Sequence, residues 1–533
     1  MSRRAWAAAA MAAAVASAAG AARAEAGSSP VAPARRCAEM AGLTLPGSTL
    51  RVTRAEAVPA AAPGTVRPSQ FGPPIPVAVP AYCKLEGVID PRTGADGKPY
   101  AIGFALALPD AWNGRFLFQG GGGLNGTVNP PFGAQAAGDR PALARGFAVV
   151  STDSGHQGAV FDAAFMADQE AYLNFAQGSV GKTTAAAKAL IGAYYGQGPR
   201  RSYFDGCSTG GREGMLVTER YPDEFDGVIS GDPAMETGYS NLGLAWAQAA
   251  FNRFAPKDAA GKPDPQKLFS PADKQLVVKA LLDACDGLDG LKDGLIFNHA
   301  ACRFDPAALT CKGAKTDACL SSDQAQAVKL ALAGPRTRGG IQVYPAFPYD
   351  AGIAGAGQGI PGILQNLAAG PVGGAGQATE IDVDQAAADL ARDGGQQLVD
   401  TAFWTNLSTF FGRGGKVLYY HGMSDPWFSP LATLGYYQSL ATANGGADKV
   451  RASARLFLVP GMGHCAGGPA TVDQFDLLTA LVDWVEDGKA PDQVVATGAS
   501  LPGISRPLCA WPAHARYKGS GDPKDATSFA CAR

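Results

Sequence analysis

Charge is scarce in this chain. Only 17% of its 533 residues are Asp, Glu, Lys or Arg, and 45 basic against 47 acidic residues leave a formal net charge of −2. So little charge excludes a long coiled coil, and the near-neutral balance gives no electrostatic footprint for nucleic acid. Histidine is scarcer still, at five residues, and no C-x-x-C pair occurs, which argues against a structural zinc site. The 69 Gly and 38 Pro follow no G-X-Y period, so collagen is excluded, and 46% hydrophobic residues exclude intrinsic disorder. No apolar run of about 20 residues continues past Arg23, and no later segment reads as transmembrane. Gly181-Lys182-Thr183-Thr184 lacks the first glycine of a phosphate-binding loop, because Ala176 stands at that place. What is present is a loop-rich globular chain with ten cysteines.

Residues 1–24 carry Arg3 and Arg4, an apolar run from Ala5 to Ala22, and the small-x-small sequence Ala22-Arg23-Ala24. This is the three-part pattern of a secretory signal, with cleavage expected after Ala24. Removing its three arginines takes the net charge from −2 to −5. The mature protein is therefore expected in the periplasm or outside the cell, where an even set of cysteines reads as disulfides. Short loops make Cys285–Cys302, Cys311–Cys319 and Cys509–Cys531 plausible local pairs. The remaining pairings stay open on spacing alone.

Apolar strands alternate with helices along much of the chain. Strands are expected at Arg115–Gln119, Gly146–Thr152, Ser202–Asp205, Phe225–Ser230, Lys416–Tyr420 and Arg455–Val459, with a helix over Thr183–Tyr195. Such alternation argues for a mostly parallel α/β sheet. Residues 235–405 break the rhythm and read as an inserted lid, which leaves 25–234 and 406–533 as the catalytic domain.

Gly206-Cys207-Ser208-Thr209-Gly210 fits G-x-S-x-G directly after a strand and opens a helix, the setting of a nucleophile elbow. Ser208 is the candidate nucleophile. His464 follows the strand Arg455–Val459 and is the candidate base, with His421 as its rival. Asp425 ends the strand Lys416–Tyr420, where the acid that fixes the imidazole tautomer belongs. His156 reads as lining the site or as a structural residue. The oxyanion donors are expected to be the Thr209 N–H and one from the Gly120–Gly123 run, Gly121 or Gly122. Cys207 and Cys465 flank Ser208 and His464, so a working site brings them close. In the insertion, Asp286, Asp289 and Asp293 fall within eight residues among glycines, a set suited to a hard cation but not an EF-hand.

Together with GGGGLNG (120–126), GCSTGGREG (206–214), HGMSDPWFSP (421–430), GMGHC (461–465) and RPLCAWPAHARYKGSGD (506–522), this constellation resembles the tannase and feruloyl esterase family, which also contains the hydrolase of mono(2-hydroxyethyl) terephthalate. The resemblance covers nearly the whole mature chain. It implies an α/β-hydrolase core with a large inserted lid, and disulfides Cys37–Cys83, Cys207–Cys465, Cys285–Cys302, Cys311–Cys319 and Cys509–Cys531. It further implies structural calcium on the side chains of Asp286, Asp289 and Asp293 and the carbonyls of Leu291 and Leu295, with no organic cofactor. The implied activity is a serine carboxylesterase acting on small or plant-polymer-linked esters of hydroxycinnamic or hydroxybenzoic acids. No nucleic-acid or membrane partner is implied. Tyr344, Phe347, Tyr349 and Trp404 are candidate aromatic walls of the acyl pocket, or else lid core. The alternatives are a terephthalate monoester hydrolase, for which Arg336 and Arg338 are the available lid cations, a non-catalytic binder of phenolics or polysaccharide, and a serine peptidase.

Overall fold

The computed structural model describes residues 29–68, 73–365 and 374–533. The expected signal segment 1–24 lies outside the described residues. Among those described, nine strands form one sheet in the order β1-β2-β3-β5-β4-β6-β7-β10-β11. They are β1 (Arg51–Val58), β2 (Tyr82–Thr93), β3 (Pro99–Pro109), β4 (Arg115–Gln119), β5 (Ala148–Thr152), β6 (Arg201–Cys207), β7 (Gly227–Gly231), β10 (Lys416–Gly422) and β11 (Ala454–Val459). From β5 to β11 every neighbouring pair is parallel. The sequence signalled these strands to within a few residues, and the helix expected over Thr183–Tyr195 begins earlier, at Ser179.

The three N-terminal strands were not anticipated. They form an antiparallel wing, β1 on β2, β2 on β3 and β3 on β5. In β2 burial alternates residue by residue, as it does in a strand with one face on the core. The parallel strands are instead buried on both faces. Phe116, Phe118, Phe204, Val228 and Tyr419 feed one apolar cluster. Their immediate neighbours Leu117, Tyr203, Ile229, Leu418 and Tyr420 feed the other, on the opposite face. Continuous apolar runs in these strands follow from that double burial.

Between β7 and β10 no described segment joins the main sheet. That stretch holds helices, long loops and the two-residue pair β8 (Ala356–Gly357) and β9 (Ile360–Pro361). After β11 come a three-stranded sheet of β12 (Gln474–Phe475), β13 (Gln493–Thr497) and β14 (Ser505–Cys509), and the pair β15 (His514–Tyr517) and β16 (Phe529–Ala532). No helix of the described residues is long and apolar enough to cross a membrane. Because β4 to β11 run parallel, their carboxyl ends share one edge of the sheet. Gly120, Asp153, Ser208, Asp232, Asp425 and His464 all follow that edge, which is where open α/β sheets carry their sites.

Candidate active site

Ser208 sits between β6 and the helix Thr209–Arg220 with φ 65° and ψ −122°, a backbone conformation that a residue other than glycine adopts only when its surroundings impose it. The flanking glycines are a steric requirement of that turn. A Cβ on Gly206 would lie 2.7 Å from the Gly210 backbone, and one on Gly210 would lie 2.8 Å from the Gly121 carbonyl oxygen. The turn thus packs directly against the glycine loop after β4.

The Cys207–Cys465 disulfide, with 5.9 Å between its Cα atoms, ties the residue before Ser208 to the residue after His464. Ser208 makes no side-chain hydrogen bond to a described residue. His464 Nδ1 lies 2.7 Å from Asp425 Oδ2. A carboxylate only accepts, so Nδ1 carries the proton and Nε2 is left as the basic nitrogen. Asp425 Oδ1 accepts the N–H groups of Trp427 (2.8 Å) and Phe428 (3.1 Å), which fixes the acid within its loop. Burial raises the Asp425 pKa, but the imidazole of His464 and the hydrogen bonds from His421 and His464 outweigh it, and the carboxyl stays well below the usual range.

His421, the rival base, is fully buried behind the acid. Its Nδ1 is 2.8 Å from Thr433 Oγ1 and its Nε2 is 3.0 Å from the Phe428 carbonyl. It also lies 3.4 Å from Asp425 and 3.6 Å from Asp232. Burial disfavours its charged form, yet Asp232 and then Asp425 raise its pKa overall. Asp232 is pushed up to about 8 by burial and the neighbouring Asp425, against the pull of His421. Asp232 went unnoticed in the sequence, which offers no motif around it.

The glycine loop separates the two oxyanion candidates. Gly121 N–H donates to Glu213 Oε2 at 2.9 Å, so that amide is already spent. Neither Gly122 nor Thr209 has its N–H engaged by a described residue, which leaves both amides available. Glu213 is fully buried on the helix after Ser208, and it also accepts from Asn125 Nδ2 at 2.9 Å and from Ser154 Oγ at 3.2 Å. It pins the loop to the nucleophile's own helix. Asp350, from the segment between β7 and β10, does the same for the other two loops. Its carboxylate accepts from the Gly461 N–H at 2.8 Å and from the Ser424 hydroxyl, and it lies 2.9 Å from His299 Nε2.

The rings that meet the His464 imidazole are those of Trp427 and Phe428, tilted against it with centroids 5.0 and 5.3 Å away. Phe161 meets Trp427 edge-on at 6.0 Å. Neither Phe347 nor Trp404 is in ring contact with His464 among the described residues. Phe347 packs in the core against Tyr344, and Trp404 is an exposed ring bonded to the Asn406 carbonyl. Trp427 and Phe428 were in the HGMSDPWFSP motif, and their position two and three residues after the acid was the signal to follow. His156 is structural. It is buried, stacks on Phe165 at 3.6 Å, and neither ring nitrogen has a hydrogen-bond partner.

All five cysteine pairs are those the family resemblance implied, and no cysteine is free. Asp286 and Asp289 are buried, and Asp286 accepts from the N–H groups of Asp293 and Gly294. Asp289 Oδ1 accepts from Leu291 N–H and Asp293 Oδ1 from Leu295 N–H. Asp293 Oδ2 is paired with Arg506, a partner the sequence did not suggest. Burial, reinforced by the charges of Asp293 and Asp286, pushes Asp289 up to about 7.

A parallel α/β sheet with a serine elbow after β6, an acid after β10 and a histidine after β11 defines a hydrolase of the α/β-hydrolase class, and the chain is a carboxylic ester hydrolase. The family model for tannase and feruloyl esterase matches residues 83–532, and the chain belongs to that family. It is 40% identical to the mono(2-hydroxyethyl) terephthalate hydrolase of Piscinibacter sakaiensis, over 85% of each chain. It is 32% identical to a probable feruloyl esterase of Arthroderma benhamiae, over 80% of this chain and 82% of that one. The crystal structure of feruloyl esterase B from Aspergillus oryzae superposes with a TM-score of 0.72 at 27% identity, covering 92% of this chain and 98% of that one.

Two outcomes follow from this geometry. Glu213→Gln weakens the hold on the glycine loop and is expected to lower kcat by roughly 10–100-fold with KM little changed, by steady-state kinetics. His156 is held neutral, its pKa lowered to about 4 by burial. The unfolded chain therefore binds a proton there between about pH 6.5 and 4 that the folded chain does not, and stability falls as pH falls through that window. His156→Phe is expected to flatten the fall by about 2–3 kcal/mol, read from denaturant melts at pH 7 and pH 4.

Proposed function

We propose that the protein is an exported serine carboxylesterase for esters of aromatic acids, of the hydroxycinnamic or hydroxybenzoic type. The observation that carries this reading is the His464–Asp425 pair with the Trp427 and Phe428 rings packed on the imidazole, next to the bridged Ser208. Ser208, deprotonated by His464 Nε2, attacks the ester carbonyl. The oxyanion forms against the N–H groups of Thr209 and Gly122, and Asp425 holds the imidazolium. His464 returns the proton to the departing alcohol, and water then cleaves the acyl-enzyme by the same base. Five disulfides, with every cysteine paired, support an oxidising compartment, periplasmic or secreted. Residues 235–405 act as a lid over the catalytic domain formed by 25–234 and 406–533.

A second reading has its own support in the 40% identity to a terephthalate monoester hydrolase. The two differ in whether the acyl group carries a free carboxylate. Methyl ferulate, methyl gallate, mono(2-hydroxyethyl) terephthalate and p-nitrophenyl acetate, offered to wild type and Ser208→Ala, separate them. The expected result is fastest turnover of a hydroxy-aromatic methyl ester and loss of at least ~10⁴-fold in Ser208→Ala. Preference for the terephthalate monoester selects the second reading. Persistent hydrolysis in Ser208→Ala removes Ser208 as nucleophile, and inactivity of wild type on the whole panel selects a non-catalytic binder.

The acidic loop 286–295 fits calcium. Its donors are all oxygens, the side chains of Asp286, Asp289 and Asp293 and the carbonyls of Leu291 and Leu295, and hard divalent cations prefer such a set. When bound, the ion supplies positive charge to a buried cluster that repels itself. Chelation with EDTA is expected to lower the Tm by several degrees and calcium to restore it, with Asp289→Asn losing the response, measured by scanning calorimetry. An identical Tm with and without chelator overturns the assignment.

A further inference from the structure

A cavity of about 370 Å³ has none of Ser208, Asp425 and His464 in its lining. Met423, two residues before the acid, forms part of its wall with Leu431 and Leu434. Phe304, Tyr349 and Trp511 give it aromatic faces, and the first two rings meet edge-on at 5.2 Å. Three basic side chains also line it, His299, Arg303 and His514. No Asp or Glu does.

Two of these groups have donors to spare. Arg303 Nη1 is spent on the carbonyls of Ala300 and Cys302, each at 2.8 Å, while Nη2 has no partner among the described residues. The His514 imidazole makes no hydrogen bond to a described residue, whereas His299 spends its Nε2–H on Asp350, which leaves Nδ1 of the neutral ring as an acceptor. Aromatic walls, uncommitted N–H groups and no competing carboxylate describe a complement to one kind of small molecule. The volume lies at the lower end of ligand pockets, which run from about 300 to 1,000 Å³.

We propose that this cavity binds a small aromatic monocarboxylate, its ring against Phe304, Tyr349 and Trp511 and its carboxylate toward Arg303 and His514. The site communicates with the serine site through named contacts. His299 touches Asp350, and Asp350 holds both Ser424, beside the acid, and Gly461, in the loop of His464. Met423 adds a direct path, since it lines the cavity from the same loop as Asp425. Occupancy therefore changes how the acid and base loops sit, and the bound acid acts as a modulator rather than as a competitor for the serine site. The binding assignment rests on the cavity's lining alone and is independent of Ser208 being the nucleophile.

Isothermal titration with sodium ferulate, on the full-length protein and on Arg303→Gln and His514→Gln, tests it. Arg303 is exposed and His514 only half-buried, so neither change removes core packing. The expected result is a ferulate-binding component that each variant weakens by about tenfold or more, the worth of a lost charge-assisted hydrogen bond. Sodium hexanoate is expected to bind this component at least tenfold more weakly than ferulate. In p-nitrophenyl acetate hydrolysis, ferulate is expected to inhibit wild type with a mixed pattern and the variants competitively, while their activity without ferulate equals that of wild type. Identical titrations of wild type and both variants, absence of ferulate binding, or equal affinity for hexanoate would overturn the proposal. A protein inactive on every ester can still be titrated, so failure of the esterase reading is distinguishable from failure of this one.

Discussion

The structure around the site depends on one covalent link, the Cys207–Cys465 disulfide. It joins residues 258 positions apart and stands next to both the strained serine turn and the histidine loop. In the chain-entropy account, closing a loop of that length removes roughly 5 kcal/mol of freedom from the unfolded chain. Its local effect is more direct. The turn at Ser208 is backbone strain that the surroundings must hold in place, and the bridge anchors it on one side while the Gly206, Gly210 and Gly121 backbones close it on the other. Asp232 lies against the same bridge, with Cys207 Sγ 3.5 Å from its Oδ2.

Behind Ser208 and His464 lies an alternation of acids and imidazoles, Asp232, His421, Asp425 and His464, buried nearly completely. Low-dielectric surroundings make each pairing strong and each unpaired charge costly. Asp425 keeps its charge because two imidazoles face it, and Asp232 loses much of its tendency to ionise because burial and the neighbouring Asp425 outweigh the pull of His421. The acid is thus fixed as an acceptor for His464 by neighbours that never reach the surface.

Legibility from sequence followed distance along the chain. Ser208, Asp425 and His464 sit in compact motifs at strand ends, and the parallel strands are short apolar runs, so local pattern was enough to find them. The antiparallel wing was missed because β1 and β2 mix charged and apolar residues and take their order from a sheet edge that no local signal marks. Gly121 and Gly122 were indistinguishable until Glu213, 92 residues away from Gly121, was seen to occupy one of them. Phe347 looked as much like a pocket wall as like core, and it is buried against Tyr344. Asp293 read as a cation ligand, and nothing nearby announces its pairing with Arg506, 213 residues on. Aromatic identity was legible, but which ring faces His464 is a property of how the Asp425 loop folds back through its own amides.

The position of Asp350 carries a consequence for how such proteins can be recombined. It belongs to the segment between β7 and β10, yet its carboxylate is fully buried and serves loops that follow β10 and β11. That segment is therefore wired into the scaffold beneath it, not laid over it as a separable part. A chimaera that exchanged the segment between relatives would have to carry a matching acid for Ser424 and Gly461. Exchanging the segment therefore also exchanges a buried support of the loops that carry Asp425 and His464.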